Sequence, residues 1–128
     1  VLLIPVEDNE QINMIYTTIF EDIVEIDCFS NPNEFYKDLK ERKADIYIVD
    51  LFFGSQLLGY DICKAIREVN TEAKIIISSS YISEDNIDTL KVYGIYAFIS
   101  KPFDIHNLQD VVKEIIEHSA SDTKCNSN

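Results

Sequence analysis

The chain has 128 residues, 46% of them hydrophobic and 27% charged, one domain's worth of sequence with enough apolar material for a core without metal or disulfide staples. Its net charge of −12 excludes the basic footprint that direct nucleic-acid binding requires. No apolar run approaches the ~20 residues of a membrane span, and the three cysteines, Cys28, Cys63 and Cys125, form no CxxC or Cys/His cluster; reduced thiols in a cytoplasmic protein are expected. No signal peptide precedes the first apolar run, and the start at Val1 rather than Met leaves room for a few further N-terminal residues.

Leu2 to Val6 is short, apolar and rich in Ile, Leu and Val, as a strand is. Pro5 lies inside it and would remove a ladder donor if the strand is central, so either that strand pairs mainly on one side there or a bulge absorbs the proline. A helical pattern follows over about 10–21, then a strand over Val24 to Cys28 and a helix over 33–42 with Asn33 or Ser30 as its cap. Ile46 to Val49 is the third strand, 60–69 the third helix and Ile75 to Ile77 the fourth strand. The fourth helix spans 84–93, with Ser83 as cap and Gly94 as stop. Ile95 to Ile99 and a helix over 104–118 begun by Asp104 complete the pattern, and the polar tail from Ser119 reads as a frayed terminus or the start of a linker. Five strand–helix units in alternation predict an α/β fold, a parallel sheet with helices on both faces; runs such as IYIV and KIII suit strands buried on both sides.

In an open parallel sheet, ligands bind beyond the carboxyl ends of the strands. Glu7 and Asp8 follow the first strand, Asp50 the third, Ser79 the fourth, within Ser78-Ser79-Ser80, and Lys101 the fifth. Three carboxylates together raise one another's pKa unless a cation intervenes. Their hard oxygens at a solvent-reached site suit Mg²⁺. With the ion bound, Asp50 stays ionised and is a nucleophile toward phosphorus, while Mg²⁺ and Lys101 offset charge on the phosphoryl oxygens. No histidine base is needed, because a carboxylate is already deprotonated at neutral pH.

On the residues VEDNE, IYIVDL and ISKPF, the chain over about 1–118 resembles the receiver domain of bacterial two-component response regulators. The resemblance implies a flavodoxin-like, doubly wound five-stranded parallel sheet of order 2-1-3-4-5 with five helices. It implies Asp50 as phospho-acceptor, Asp8 and Asp50 with the Phe52 backbone carbonyl as Mg²⁺ ligands, Glu7 acting through a water, and Lys101 on the phosphoryl group with a cis bond to Pro102. The family usually has a glycine eight residues after the acceptor; Gly59 lies nine after Asp50, which implies one inserted residue. The intervals to Gly59 and Lys101 single out Ser79 as the switch hydroxyl, Ser78 and Ser80 pointing elsewhere by strand alternation. Phe98 takes the switch-aromatic position, and Phe52 and Tyr81 flank the path of an attacking water, which implies a long-lived phosphoryl group. The stretch LFFGSQLLG replaces the usual methionine–proline turn after the acceptor, and Ser79 stands where threonine is commoner.

The function so implied is a phosphorylation-dependent signalling switch: a sensor histidine kinase or phosphotransfer protein donates to Asp50, and the surface of helix four, strand five and helix five changes for an output domain or downstream protein. Leu90, Tyr93, Tyr96 and His106 are candidate contacts on that face, and a homodimer through it is compatible. Such a protein catalyses only its own phosphotransfer and slow autodephosphorylation and is not otherwise an enzyme. The alternative is a degenerate receiver that binds partners without phosphorylation. A haloacid-dehalogenase-type phosphatase would need a second Asp where Phe52 stands, and a flavodoxin-like cofactor carrier would not place acidic residues after its first strand.

Overall fold

The computed structural model describes residues 1–126, with side chains to His118. The elements in chain order are β1 (Leu2–Val6), α1 (Glu10–Phe20), β2 (Glu25–Ile26), α2 (Pro32–Glu41), β3 (Ile46–Val49), β4 (Phe52–Phe53), β5 (Gln56–Leu57), α3 (Gly59–Val69), β6 (Lys74–Ser79), α4 (Glu84–Leu90), a 3₁₀ turn (Lys91–Tyr93), β7 (Ile95–Ser100) and α5 (Ile105–Asn126). The main sheet is parallel, with spatial order β2-β1-β3-β6-β7. Leaving aside the small β4–β5 pair, this is the 2-1-3-4-5 order expected.

Strand alternation divides the core in two. Ile4, Val6, Tyr47, Val49, Ile75 and Ile77 face Phe35, Leu39, Ile62, Ile66 and Leu90 of α2, α3 and α4. Leu3, Ile46, Ile48 and Ile76 face Tyr16, Phe20, Leu108, Val112 and Ile115 of α1 and α5. Both faces are covered, which is why the central strands are continuously apolar.

Pro5 sits in a central strand after all. Its register with β3 is unbroken, Leu3 to Val6 against Ile46 to Val49, so no bulge absorbs it. The carbonyls of Leu2 and Val6 serve β3, accepting from Asp45 and Asp50. Those of Val1, Leu3 and Pro5 serve the other side, accepting from Glu25, Asp27 and Phe29. The missing Pro5 N–H therefore falls on the edge-strand side. There the ladder loses a donor, and β2 is confined to Glu25–Ile26 plus one bridge between Val6 and Phe29, against the five residues expected.

Other boundaries shift for local reasons. Asn31, not Asn33 or Ser30, caps α2: its side chain accepts from the Asn33 N–H, and Pro32 occupies the first helical position, where no N–H is missed. Ser83 caps α4 through the Asn86 N–H and Asp104 begins α5 through that of Asn107, both as expected. Gly94, at φ +67°, ends the 3₁₀ turn. The helix α5 continues beyond His118 through the segment read as a tail, since no Gly or Pro intervenes to stop it. The pair β4–β5 is an antiparallel hairpin joined by Gly54-Ser55, unanticipated although a Gly-Ser pair between two apolar runs is a two-residue turn signal. Gly54 has φ +64° and Ser55 does not have positive φ, the pattern of a II′ turn. Cys28 and Cys63 are free; Cys125 lies outside the described side chains. No helix among the described residues is long and apolar enough to cross a membrane.

Candidate functional site

The carboxyl ends of β1, β3 and β7 deliver Glu7, Asp8, Asp50 and Lys101 to one place. One carboxylate oxygen from each of Glu7, Asp8 and Asp50 lies within 4.8 Å of the others. The Lys101 ammonium donates to Glu7 Oε1 and, at 3.1 Å, to Asp50 Oδ2. Glu7 and Asp50 are almost fully buried and Asp8 is exposed. One ammonium, paired with Glu7 and Asp50 only, thus stands against three carboxylates, two of them out of water, so negative charge is left uncompensated. All the donors are hard oxygens at an open edge, and a divalent cation fits both that geometry and the charge deficit.

Burial pushes the Glu7 carboxyl up to about 7; the hydrogen bond from Lys101 pulls the other way and the Asp50 charge reinforces the rise. The remaining Glu7 oxygen accepts the Asn9 N–H at 3.2 Å, and the Glu7 carbonyl accepts from Asn13 Nδ2 at 2.7 Å. Asn9 also caps α1, accepting from the N–H groups of Gln11 and Ile12. One residue therefore starts the helix and orients an acidic group, a role that sequence reading missed although Asn just before a periodic run is a capping signal.

Asp50 is held from two sides. Its Oδ1 accepts the Phe52 N–H at 3.3 Å. Behind it, the Gly59 N–H donates to the Leu51 carbonyl at 2.9 Å, and a Cβ on Gly59 would stand 2.6 Å from Leu51 Cα and 2.8 Å from the Asp50 carbonyl. A side chain has no room there, which gives the glycine identified by its spacing a steric reason. The hairpin brings the Gly54 N–H to Asp8 Oδ2 at 2.9 Å.

Ser79 is buried, and its hydroxyl accepts weakly from the Tyr81 N–H at 3.4 Å. With Ile75 and Ile77 it shares the α3–α4 side of the sheet. Phe98, paired in register with Ile77, packs half-buried on the same side. Ser78 faces the other side and accepts from the Tyr16 hydroxyl at 3.2 Å, with Tyr16 stacked on Phe103, while Ser80 is exposed. The Lys101–Pro102 bond is cis. Phe52 packs half-buried against the α2–α3 core, whereas Tyr81 is 65% exposed and lends no packed wall. Of the residues expected on the outer face, Tyr93 and Tyr96 are partly exposed and His106 exposed. Leu90 is fully buried in the core: it lies on the inner side of α4 and is no surface contact.

A family model described as the response regulator receiver domain matches residues 2–113. The Response regulator ArlR of Staphylococcus epidermidis is 35% identical over 75 residues, covering 59% of this chain and 33% of the relative. Sporulation initiation phosphotransferase F of Bacillus subtilis is 30% identical over 77 residues, covering 60% of each. The chain thus spans about a third of the first relative's length and less than two thirds of the second's. A CheY-like response regulator receiver domain protein from Methanospirillum hungatei superposes with a TM-score of 0.86 at 18% identity, over 94% of this chain and 97% of that one; at that identity the likeness concerns the fold.

Proposed function

The chain belongs to the response regulator receiver family, and from that premise we propose that it is a phosphorylation switch in which Asp50 accepts a phosphoryl group from a histidine kinase or phosphotransfer protein. Phosphorylation switching is the family's general function, and receiver domains typically bind Mg²⁺ at an acidic cluster. The observation that carries the reading is the convergence of Glu7, Asp8, Asp50 and Lys101 at one sheet edge.

An ion held by Asp8, Asp50 and the Phe52 carbonyl, with Glu7 through a water, would neutralise the oxygens of the incoming phosphoryl group. An ionised Asp50 oxygen attacks phosphorus, the bond from phosphorus to the donor imidazole nitrogen breaks, and the imidazole leaves with that electron pair. The product is an acyl phosphate on Asp50. The Lys101 ammonium, already bridging Glu7 and Asp50, turns toward the new phosphoryl oxygens. Ser79 then donates to one of them, and Phe98, on the same side of the sheet, fills the space vacated. That shifts the population of the α4–β7–α5 surface, with Tyr93, Tyr96 and His106 as its contacts for an output domain or downstream protein. The donor approaches over the apolar cleft of about 430 Å³ beside Lys101, lined by Ile12, Ile15, Phe103 and Ile105. Phe52 shelters the phosphoryl group more than the outlying Tyr81. The protein catalyses only its own transfer and slow autodephosphorylation.

Incubation with a small-molecule phosphodonor and Mg²⁺, followed by intact-mass measurement, tests this. Wild type gains one phosphoryl group and Asp50→Asn gains none. No adduct on wild type, or an equal one on the variant, refutes it.

A further inference from the structure

Lys101 fixes two of the three clustered carboxylates and leaves the third alone. Glu7 and Asp50 both accept from its ammonium, and each has a further backbone N–H. Asp8 is exposed, and among the described residues the single donor to its carboxylate is the Gly54 N–H, forty-six positions along the chain. An exposed carboxylate with no partner samples several rotamers, and ordering it is a cost that metal binding would have to meet.

The hairpin is built to present that N–H. Phe53, the residue before the turn, is 8% exposed and anchored in the α2–α3 core. Its pairing with Gln56 closes a two-residue turn. At φ +64° Gly54 occupies a conformation that few side chains adopt, yet a Cβ there would meet nothing within 4 Å. Space does not demand glycine at this position; backbone direction does. A carboxylate has about four lone-pair positions, so the bond to Oδ2 orients Asp8 without exhausting it.

We propose that the Gly54 amide is a positioning group for the cation site: the β4–β5 hairpin holds the Asp8 carboxylate facing Glu7 and Asp50, in the orientation a divalent ion needs. This rests on reading the three carboxylates as a Mg²⁺ site. Outer partners of metal ligands matter at roughly the 10–100-fold level in affinity.

Calorimetric titration of wild type, Gly54→Asn, Gly54→Ala and Gly54→Val with Mg²⁺, and with Mn²⁺ in parallel, is the test. Primed turns favour Asn and Asp after Gly at their positive-φ positions, so Asn disturbs the N–H least of the three and should bind nearest to wild type. Val opposes that backbone most and should weaken binding by about tenfold, with Ala between them, while circular dichroism shows the fold retained. Val binding as tightly as wild type, or tighter, overturns the proposal while leaving the cation site intact. Wild type binding neither ion overturns both readings. Graded loss in the order Asn, Ala, Val supports this one.

Discussion

The backbone contact behind Asp50 makes a quantitative prediction for Gly59→Ala. The added methyl would lie 2.6 Å from Leu51 Cα, 2.8 Å from the Asp50 carbonyl oxygen and 2.9 Å from Leu51 Cδ2. Only the last can yield by rotation. To reach an ordinary 3.4 Å contact, the start of α3 and the segment bearing Asp50 must part by about 0.8 Å. Overpacking of that kind costs about 1–3 kcal/mol. Helix propensity favours alanine over glycine by up to about 1 kcal/mol in a helix interior, and by less at the first turn. The clash wins, with a net loss of about 1–2 kcal/mol. For a domain of this size that corresponds to a melting temperature lower by roughly 4–8 °C. The same displacement moves the Asp50 carboxylate relative to Lys101 and Asp8, so with Asp50 as the proposed acceptor, phosphorylation by a small phosphodonor should slow by about tenfold or more. Thermal denaturation followed by circular dichroism measures the first effect, and intact-mass time courses the second. A variant that melts at or above the wild-type temperature would show that propensity decides and that the close approach does not constrain Asp50.

Two further expectations test different parts of the site and its frame. Because Glu7 is pushed up to about 7 from the ordinary 4.5, the metal-free folded state binds more protons than the unfolded chain between those values. Its contribution to stability is therefore complete below about 4.5 and is lost as pH rises toward 7. Denaturant midpoints at several pH values should show this fall in wild type, a smaller one in Glu7→Gln and in wild type saturated with Mg²⁺; a Glu7→Gln profile superimposable on wild type refutes it. At the other end of the sheet, Arg67 donates to the carbonyls of Tyr93 at 2.5 Å, Gly94 at 3.0 Å, Ala73 at 2.7 Å and Asn70 at 3.2 Å. It thereby ties the ends of α3 and the 3₁₀ turn to the starts of β6 and β7. Arg67→Lys keeps the charge but not the planar fork, and should lose about 2 kcal/mol in urea denaturation; equal stability would mean that these carbonyls are as well served by water.

Much of this protein was decided by local sequence. Apolar runs of three to five residues alternating with amphipathic segments determine the parallel sheet and its two covered faces, because side-chain period and element length are properties of the chain itself. Glu7, Asp8, Asp50 and Lys101 could be picked out because strand ends are where such a sheet presents its chemistry. Ser83, Asp104 and Gly94 mark helix ends through bonds or conformations only a few residues long. What the tertiary structure decided are the meetings across distance. Pro5 reads as a conflict until the neighbours of β1 are known; then its missing donor falls toward the short edge strand. Leu90 reads as a surface residue of α4 until the rotation of that short helix on the sheet buries it. The stretch LFFGSQLLG reads as an altered turn; folding makes it a hairpin whose tip touches Asp8 and whose end closes on Leu51. Residues forty-six positions apart meet only because β1 and β3 lie side by side, and no local propensity encodes that adjacency.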